Sequence, residues 1–279
     1  MGHEIHKTTH HPKLSVISKI HYGKMALRGI IFFAALIAYL VEWRNGNGTG
    51  LGFSGWGAWV LVAAWLLLML EMILRLFPSH TESMGCQRQF PGNYKPTGRK
   101  PFKPANQRRA VIGIVIAWFA LNGAIGALYF ARIIDADILL LISLGYSVCD
   151  MICILLVCPF QLWFLKNKCC TTCRIYNWDF AMMFTPLVFI PHVYTWSLLL
   201  MGLVLLLRWE VTYYRHPERF SECSNSSLSC ANCQERLCNQ KKSIRRLRIR
   251  VMAELKEELG ELKEDLGELR ETIKKKTGR

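Results

Sequence analysis

The chain has 279 residues, 52% of them hydrophobic, and a formal net charge of +15. The apolar residues stand in blocks separated by short polar stretches, without the periodicities of a water-soluble domain, which excludes a soluble globular protein. The basic excess lies in the polar stretches, as expected of loops that meet anionic lipid headgroups, so membrane lipids and not nucleic acid are the expected partners.

The first 24 residues form a polar segment that carries His3, His6, His10, His11 and His21 and lacks the short apolar run of a cleavable signal. Insertion is therefore expected to start with the first membrane helix. The histidines read as a solvated tail in preference to a weak metal-binding one.

A bilayer core about 30 Å thick needs about 20 mostly apolar residues per helix. The predicted fold is all-α and polytopic, with about six spans inside residues 25–213: Met25 to Trp43, Trp56 to Phe77, Ala110 to Ile134, Ile138 to Leu165, Trp178 to Ile190 and Tyr194 to Tyr213. The fifth block is short and is interrupted or bounded by Pro186 and Pro191. It reads as a span, with a kinked helix, a re-entrant segment or one arm of a hairpin with the sixth block as alternatives.

Lysine and arginine gather in alternate connections. The N-terminal segment has Lys7, Lys13, Lys19 and Lys24; residues 78–109 include Arg88, Lys95, Arg99, Lys100, Lys103, Arg108 and Arg109; residues 166–177 include Lys166, Lys168 and Arg174. The start of the C-terminal tail is basic as well, through Arg215, Arg219, Lys241, Lys242, Arg245 and Arg246. The remaining connections, Asn45 to Gly57, Arg132 to Asp137 and Pro191-His192, are short and poor in such charge. The positive-inside bias then predicts both termini in the cytoplasm and three tight hairpins on the far side, in the plasma membrane.

In that topology Cys86, Cys169, Cys170, Cys173, Cys223, Cys230, Cys233 and Cys238, out of eleven cysteines, all face a reducing cytoplasm, which argues against structural disulfides. Cys170 and Cys173 are separated by two residues, as are Cys230 and Cys233 in the cysteine-rich segment 214–240, and Cys238 follows after four more. Such pairs present two thiolates to one ion, and zinc takes four in a tetrahedron. The expected centre is therefore zinc on Cys170, Cys173, Cys230 and Cys233, with Cys238, Cys169 and Cys86 as substitutes or as members of a second centre. An iron–sulfur cluster uses the same ligands and remains open on spacing alone, as do free or reversibly oxidised thiols.

A charged side chain at the bilayer centre costs about 3 kcal/mol and so asks for a partner or a role. Asp150 is the clearest case, near the middle of the fourth span with Tyr146 and Ser147 on or beside its face. A proton or cation site and a protonated acid bonded to a neighbouring helix both fit it. Glu71 and Arg75, four apart near the end of the second span, are expected to form an ion pair within that helix. Glu42, Arg208 and Glu210 are expected to reach toward water, and Asn122, Gly123 and Gly126 to pack closely against another helix.

From residue 241 to 276 the pattern changes to a heptad seam. Leu259, Leu266 and Ile273 fall at a, and Leu255, Leu262 and Leu269 at d. In a parallel assembly Glu258 then faces Lys263 and Asp265 faces Arg270, both pairs opposite in sign, which predicts a parallel coiled coil of identical chains. Gly260 and Gly267 weaken the helix but fall on its outer surface.

The chain holds no potassium-filter sequence, arginine ladder, Walker loop or serine-nucleophile motif, so a voltage-gated potassium channel and a nucleotide-driven pump are poor fits. The expectation is a homo-oligomeric channel or transporter with a cytoplasmic cysteine metal site. A membrane redox protein and a structural scaffold are the alternatives.

Overall fold

The computed structural model describes residues 15–44, 56–102, 105–166, 169–233 and 235. It is mostly helical. Seven α-helices are described: α1 (Val16–Arg44), α2 (Trp56–Leu74), α3 (Met84–Gln87), α4 (Ala105–Phe130), α5 (Ala136–Leu155), α6 (Asp179–Met183) and α7 (Val193–Arg215). Of these, α1, α2, α4, α5 and α7 are long and apolar enough to cross a bilayer. Their outward sides expose large apolar groups such as Phe33, Trp59, Ile116, Phe119 and Leu200. Such apolar surface on α1, α2, α4 and α7 suits a lipid surrounding and not water, while α5 exposes no large apolar side chain.

Three departures from expectation exceed the shifts of up to five residues at the ends of α2 and α4, each for a local reason. Helix α1 starts at Val16, so His21 lies within it and is buried, with no hydrogen bond to either ring nitrogen among the described residues, instead of standing in a solvated tail. Helix α5 stops at Leu155, short of Leu165, because Pro159 cannot donate a backbone hydrogen bond and its ring crowds the preceding turn. The chain resumes as a π-helical turn over Phe160–Leu165 that closes on Lys166 at φ 50°.

The fifth apolar block is the third departure. It is not a continuous helix but the five-residue α6 followed by a 3-10 turn over Thr185–Phe189. Pro186 sits in the first turn of that 3-10 segment, where its missing amide is tolerated, and Pro191 stops it. The broken arm runs antiparallel to α7. At one end the Trp178 indole donates to Glu210 Oε1 at 2.7 Å, and at the other Thr195 Oγ1 donates to the Ile190 carbonyl at 2.7 Å. The fifteen residue-to-residue steps from Thr195 to Glu210 along α7 rise about 22 Å, so the arm lies along most of a bilayer core.

Burial explains how an irregular arm is held. Phe180, Met183, Phe184 and Leu187 from the arm pack with Leu68 and Met72 of α2 and Leu198 and Leu205 of α7 into one core cluster. A second cluster joins α1, α2 and α5 through Ala35, Ala38, Ala64, Leu141 and Leu144, where small side chains let the helices approach.

The connections that the charge pattern assigns to one side meet in one layer. Thr97 N donates to the Ser224 carbonyl at 3.1 Å and Ser226 N to the Lys95 carbonyl at 2.9 Å. Glu235 ties the tail to two other segments: its carbonyl accepts from Ser18 Oγ at 3.0 Å, and its carboxylate accepts from Ser83 Oγ at 2.8 Å and Met84 N at 2.6 Å. The coil positions Leu255, Leu259, Leu262, Leu266, Leu269, Ile273, Glu258, Lys263, Asp265 and Arg270 lie outside the described residues, as does Cys238.

Candidate functional site

The site is built from four elements that each bring a charge into the apolar interior. Arg28 projects from α1 with 1% of its side chain exposed. Its Nη2 donates to Glu71 of α2, and its Nη1 donates at 3.0 Å both to Asp150 Oδ2 and to the Ser147 carbonyl of α5. One guanidinium thus joins three helices, which its planar fork of donors permits and a lysine would not. Arg75, at the end of α2, pairs with Asp179 at the start of α6, and its guanidinium stands 4.5 Å from the Phe180 ring centroid. Five charges follow from these contacts: the cations Arg28 and Arg75 and the carboxylates Glu71, Asp150 and Asp179.

This corrects the pairing expected within α2. Glu71 and Arg75 are joined by a backbone hydrogen bond, while their side chains turn to Arg28 and Asp179 respectively. A partner on another helix wins because it neutralises a charge that would otherwise be buried alone, a far larger effect than the few tenths of a kcal/mol of an exposed helical pair. Arg208 and Glu210 are also tied down: Arg208 donates to the Leu76 carbonyl at 2.6 Å, and Glu210 pairs with Arg174.

Asp150 and Tyr146 line a cavity of about 250 Å³ between α4, α5, the π-helical turn and the loop that leads into α6. Asp179, Cys149, Cys153, Cys158, Cys170 and Cys173 share its wall. Trp118 of α4 closes one side; its ring centroid lies 4.9 Å from that of Tyr146 and 6.2 Å from that of Phe160, and its indole is fixed by a 3.1 Å hydrogen bond to Thr185 Oγ1. Ser147 lies deeper, with its hydroxyl donating to the Leu144 carbonyl at 2.7 Å. Asp179 Oδ1 is buried without a hydrogen-bond partner among the described residues.

The cysteines fall into separate settings. Cys170 and Cys173 bracket a 3-10 turn at the cavity wall, and Cys230 and Cys233 bracket another in the tail. The Cys169 thiol shares a 3.1 Å hydrogen bond with Thr171 Oγ1, whereas Cys86 is fully buried. Among the described residues no three histidine, cysteine or acidic side chains gather around one point as metal ligands would. Burial pushes the Cys86 thiol up to about 11 and the Cys173 thiol up to about 12, so neither is a ready thiolate at neutral pH.

Arg88 organises the polar layer above. Its Nη2 donates to the Cys173 carbonyl, and its guanidinium stands 4.8 Å and 5.1 Å from the ring centroids of Trp209 and Phe220. Burial, with no carboxylate partner among the described residues, pulls its pKa down to about 10.

Sequence reasoning finds Asp150, Tyr146 and Ser147 but misses Arg28, Asp179 and Trp118. Arg28 had a usable signal, since a lone arginine inside an apolar block demands a buried acid elsewhere. Comparison of the chain with protein-family models, with curated proteins and with solved structures finds no match.

Proposed function

We propose that the protein is an integral membrane protein of channel or transporter type, assembled from identical chains through a parallel coil at residues 241–276, with both termini in the cytoplasm. The observation that carries this reading is the buried set of charges around Arg28. Three carboxylates and two guanidiniums inside an apolar helical bundle are costly to bury, and groups retained at that cost in a bilayer usually serve ion or proton movement. Asp150 is the group assigned to the pathway, because it both joins the network and faces the cavity.

Purified protein in liposomes that trap a pH-sensitive dye tests this. Protein-dependent proton or cation flux that is lost in Asp150→Asn supports it. Flux that is absent from the wild type, or equal in the two proteins, overturns it.

A second reading is a zinc ion held between the two cysteine turns, supported by the matching 3-10 form that Cys170–Cys173 and Cys230–Cys233 adopt. Elemental analysis decides it: about one zinc per chain supports the site, bound iron with visible absorption replaces it by a redox cluster, and neither metal removes both.

A further inference from the structure

We propose that the cavity beside Asp150 and Asp179 binds a small organic monocation, a protonated amine with an apolar body, in exchange for a proton. This rests on the transport reading above and supplies its substrate class.

The argument begins with charge. The groups packed around Asp150 are Arg28 from α1, Glu71 and Arg75 from α2 and its end, and Asp179 from α6, while α5 itself adds Cys149 and Cys153 and α4 adds the uncharged Trp118. With every carboxylate ionised and buried His21 of α1 neutral, three negative charges face two positive ones, and the adjoining Lys24–Glu82 pair adds one charge of each sign. A buried net charge is strongly disfavoured, so the cluster takes up one proton or one cation. The position of the deficit is marked by Asp179 Oδ1, buried without a hydrogen-bond partner, and Asp179 and Asp150 both line the same cavity.

The wall then selects the cation. A calcium or magnesium ion takes six or more oxygen ligands, and a cavity with two carboxylates and largely apolar surroundings cannot replace its water. An ammonium on an apolar body fits instead. Its head needs one anionic partner, and Trp118, Tyr146 and Phe160 line the cavity as aromatic groups, a residue type that attracts a cation and supplies apolar area to cover the body. At about 250 Å³ the space suits a small amine and not a lipid. As the ammonium enters, the carboxyl proton leaves to water, and the charge of the site is unchanged.

Phenethylamine and the neutral 3-phenylpropan-1-ol distinguish cation recognition from plain apolar binding. They are titrated calorimetrically into the full-length protein in detergent. The expected result is saturable binding of the amine, weakened about tenfold from pH about 8 to pH about 5 as protons compete, and little binding of the alcohol. Asp150→Asn removes the preference for the amine, and Trp118→Leu, which leaves the charge network in place, weakens binding without loss of the folded protein. Equal binding of the two compounds, or no binding to folded wild type, overturns the proposal. Amine binding without liposome flux would instead remove the transport reading and keep the site; proton flux without amine binding would remove the site and keep transport.

Discussion

Arg28 meets Glu71 and Asp150 across sequence separations of 43 and 122 residues, distances over which no local spacing rule operates. The four-residue spacing of Glu71 and Arg75 was legible and led to the wrong pair, since spacing reports which side chains can meet and not which partner lowers the free energy most. Replacing Arg28 with methionine leaves two acids unpaired and is expected to destabilise the folded protein by about 3–5 kcal/mol, with the triple change that also neutralises Glu71 and Asp150 recovering much of it. Thermal unfolding in detergent reads this, and an unchanged midpoint for Arg28→Met contradicts it. Burial pushes the Glu235 carboxyl above its usual range, against hydrogen bonds from Ser83 and Met84 that pull it down. A raised value in the folded state means that the fold holds this proton more tightly than the unfolded chain. The tail's attachment is therefore firmest in acid and loosens as pH rises above 4.5 through the raised folded value. Hydrogen exchange at the Met84 amide, corrected for its intrinsic rate, should speed up over that rise; pH-independent protection would contradict it. Cysteine labelling gives a third check. Exposed Cys223, which lies in neither cysteine turn, should react with maleimide in the native protein, and Cys86 and Cys173 only after unfolding, as mass spectrometry of peptides would show.

Among the elements, the five long helices were legible because a bilayer imposes one length on every apolar block that crosses it. The ends of the blocks were less so. Hydropathy continues through Pro159 although the helix cannot, and it fades before Val16 although packing carries α1 onward. The arm over residues 178–190 shows the same limit more strongly: its prolines signalled an interruption, and only contacts with α2 and α7 determine that it lies buried as a hairpin arm. Gly202 fixes how closely that arm approaches α7. A Cβ there would lie 3.3 Å from Ala181 N and from the Phe180 carbonyl carbon, backbone that cannot swing aside. Gly202→Val is therefore expected to cost about 1–3 kcal/mol and to weaken any flux, whereas Gly23→Ala, with open space around it, should do neither. Equal stability of the two variants would show that the arm is held less closely.

For the molecule as a whole, charge along the chain was the most informative signal. Among the described residues, the parts of the basic segments around Ser18, Arg88, Lys95, Arg174 and Ser224 do pack together, through Glu235, Arg88 and the pairing of residues near Lys95 with those near Ser224. The cysteine spacing specified two turns and carried no information on whether those turns converge. The coil proposal predicts assembly independent of the membrane helices' own contacts. Reversing the charges at Lys263 and Arg270 to glutamate should lower the oligomeric mass in detergent, and an unchanged mass would exclude a parallel coil. The central claim, that one unbalanced buried charge accepts either a proton or an organic cation, is tested most directly by adding phenethylamine outside proteoliposomes that trap a pH-sensitive dye. The expected result is an amine-evoked pH change in the lumen with wild type and none above empty liposomes with Asp150→Asn. An identical response from the two proteins would contradict it.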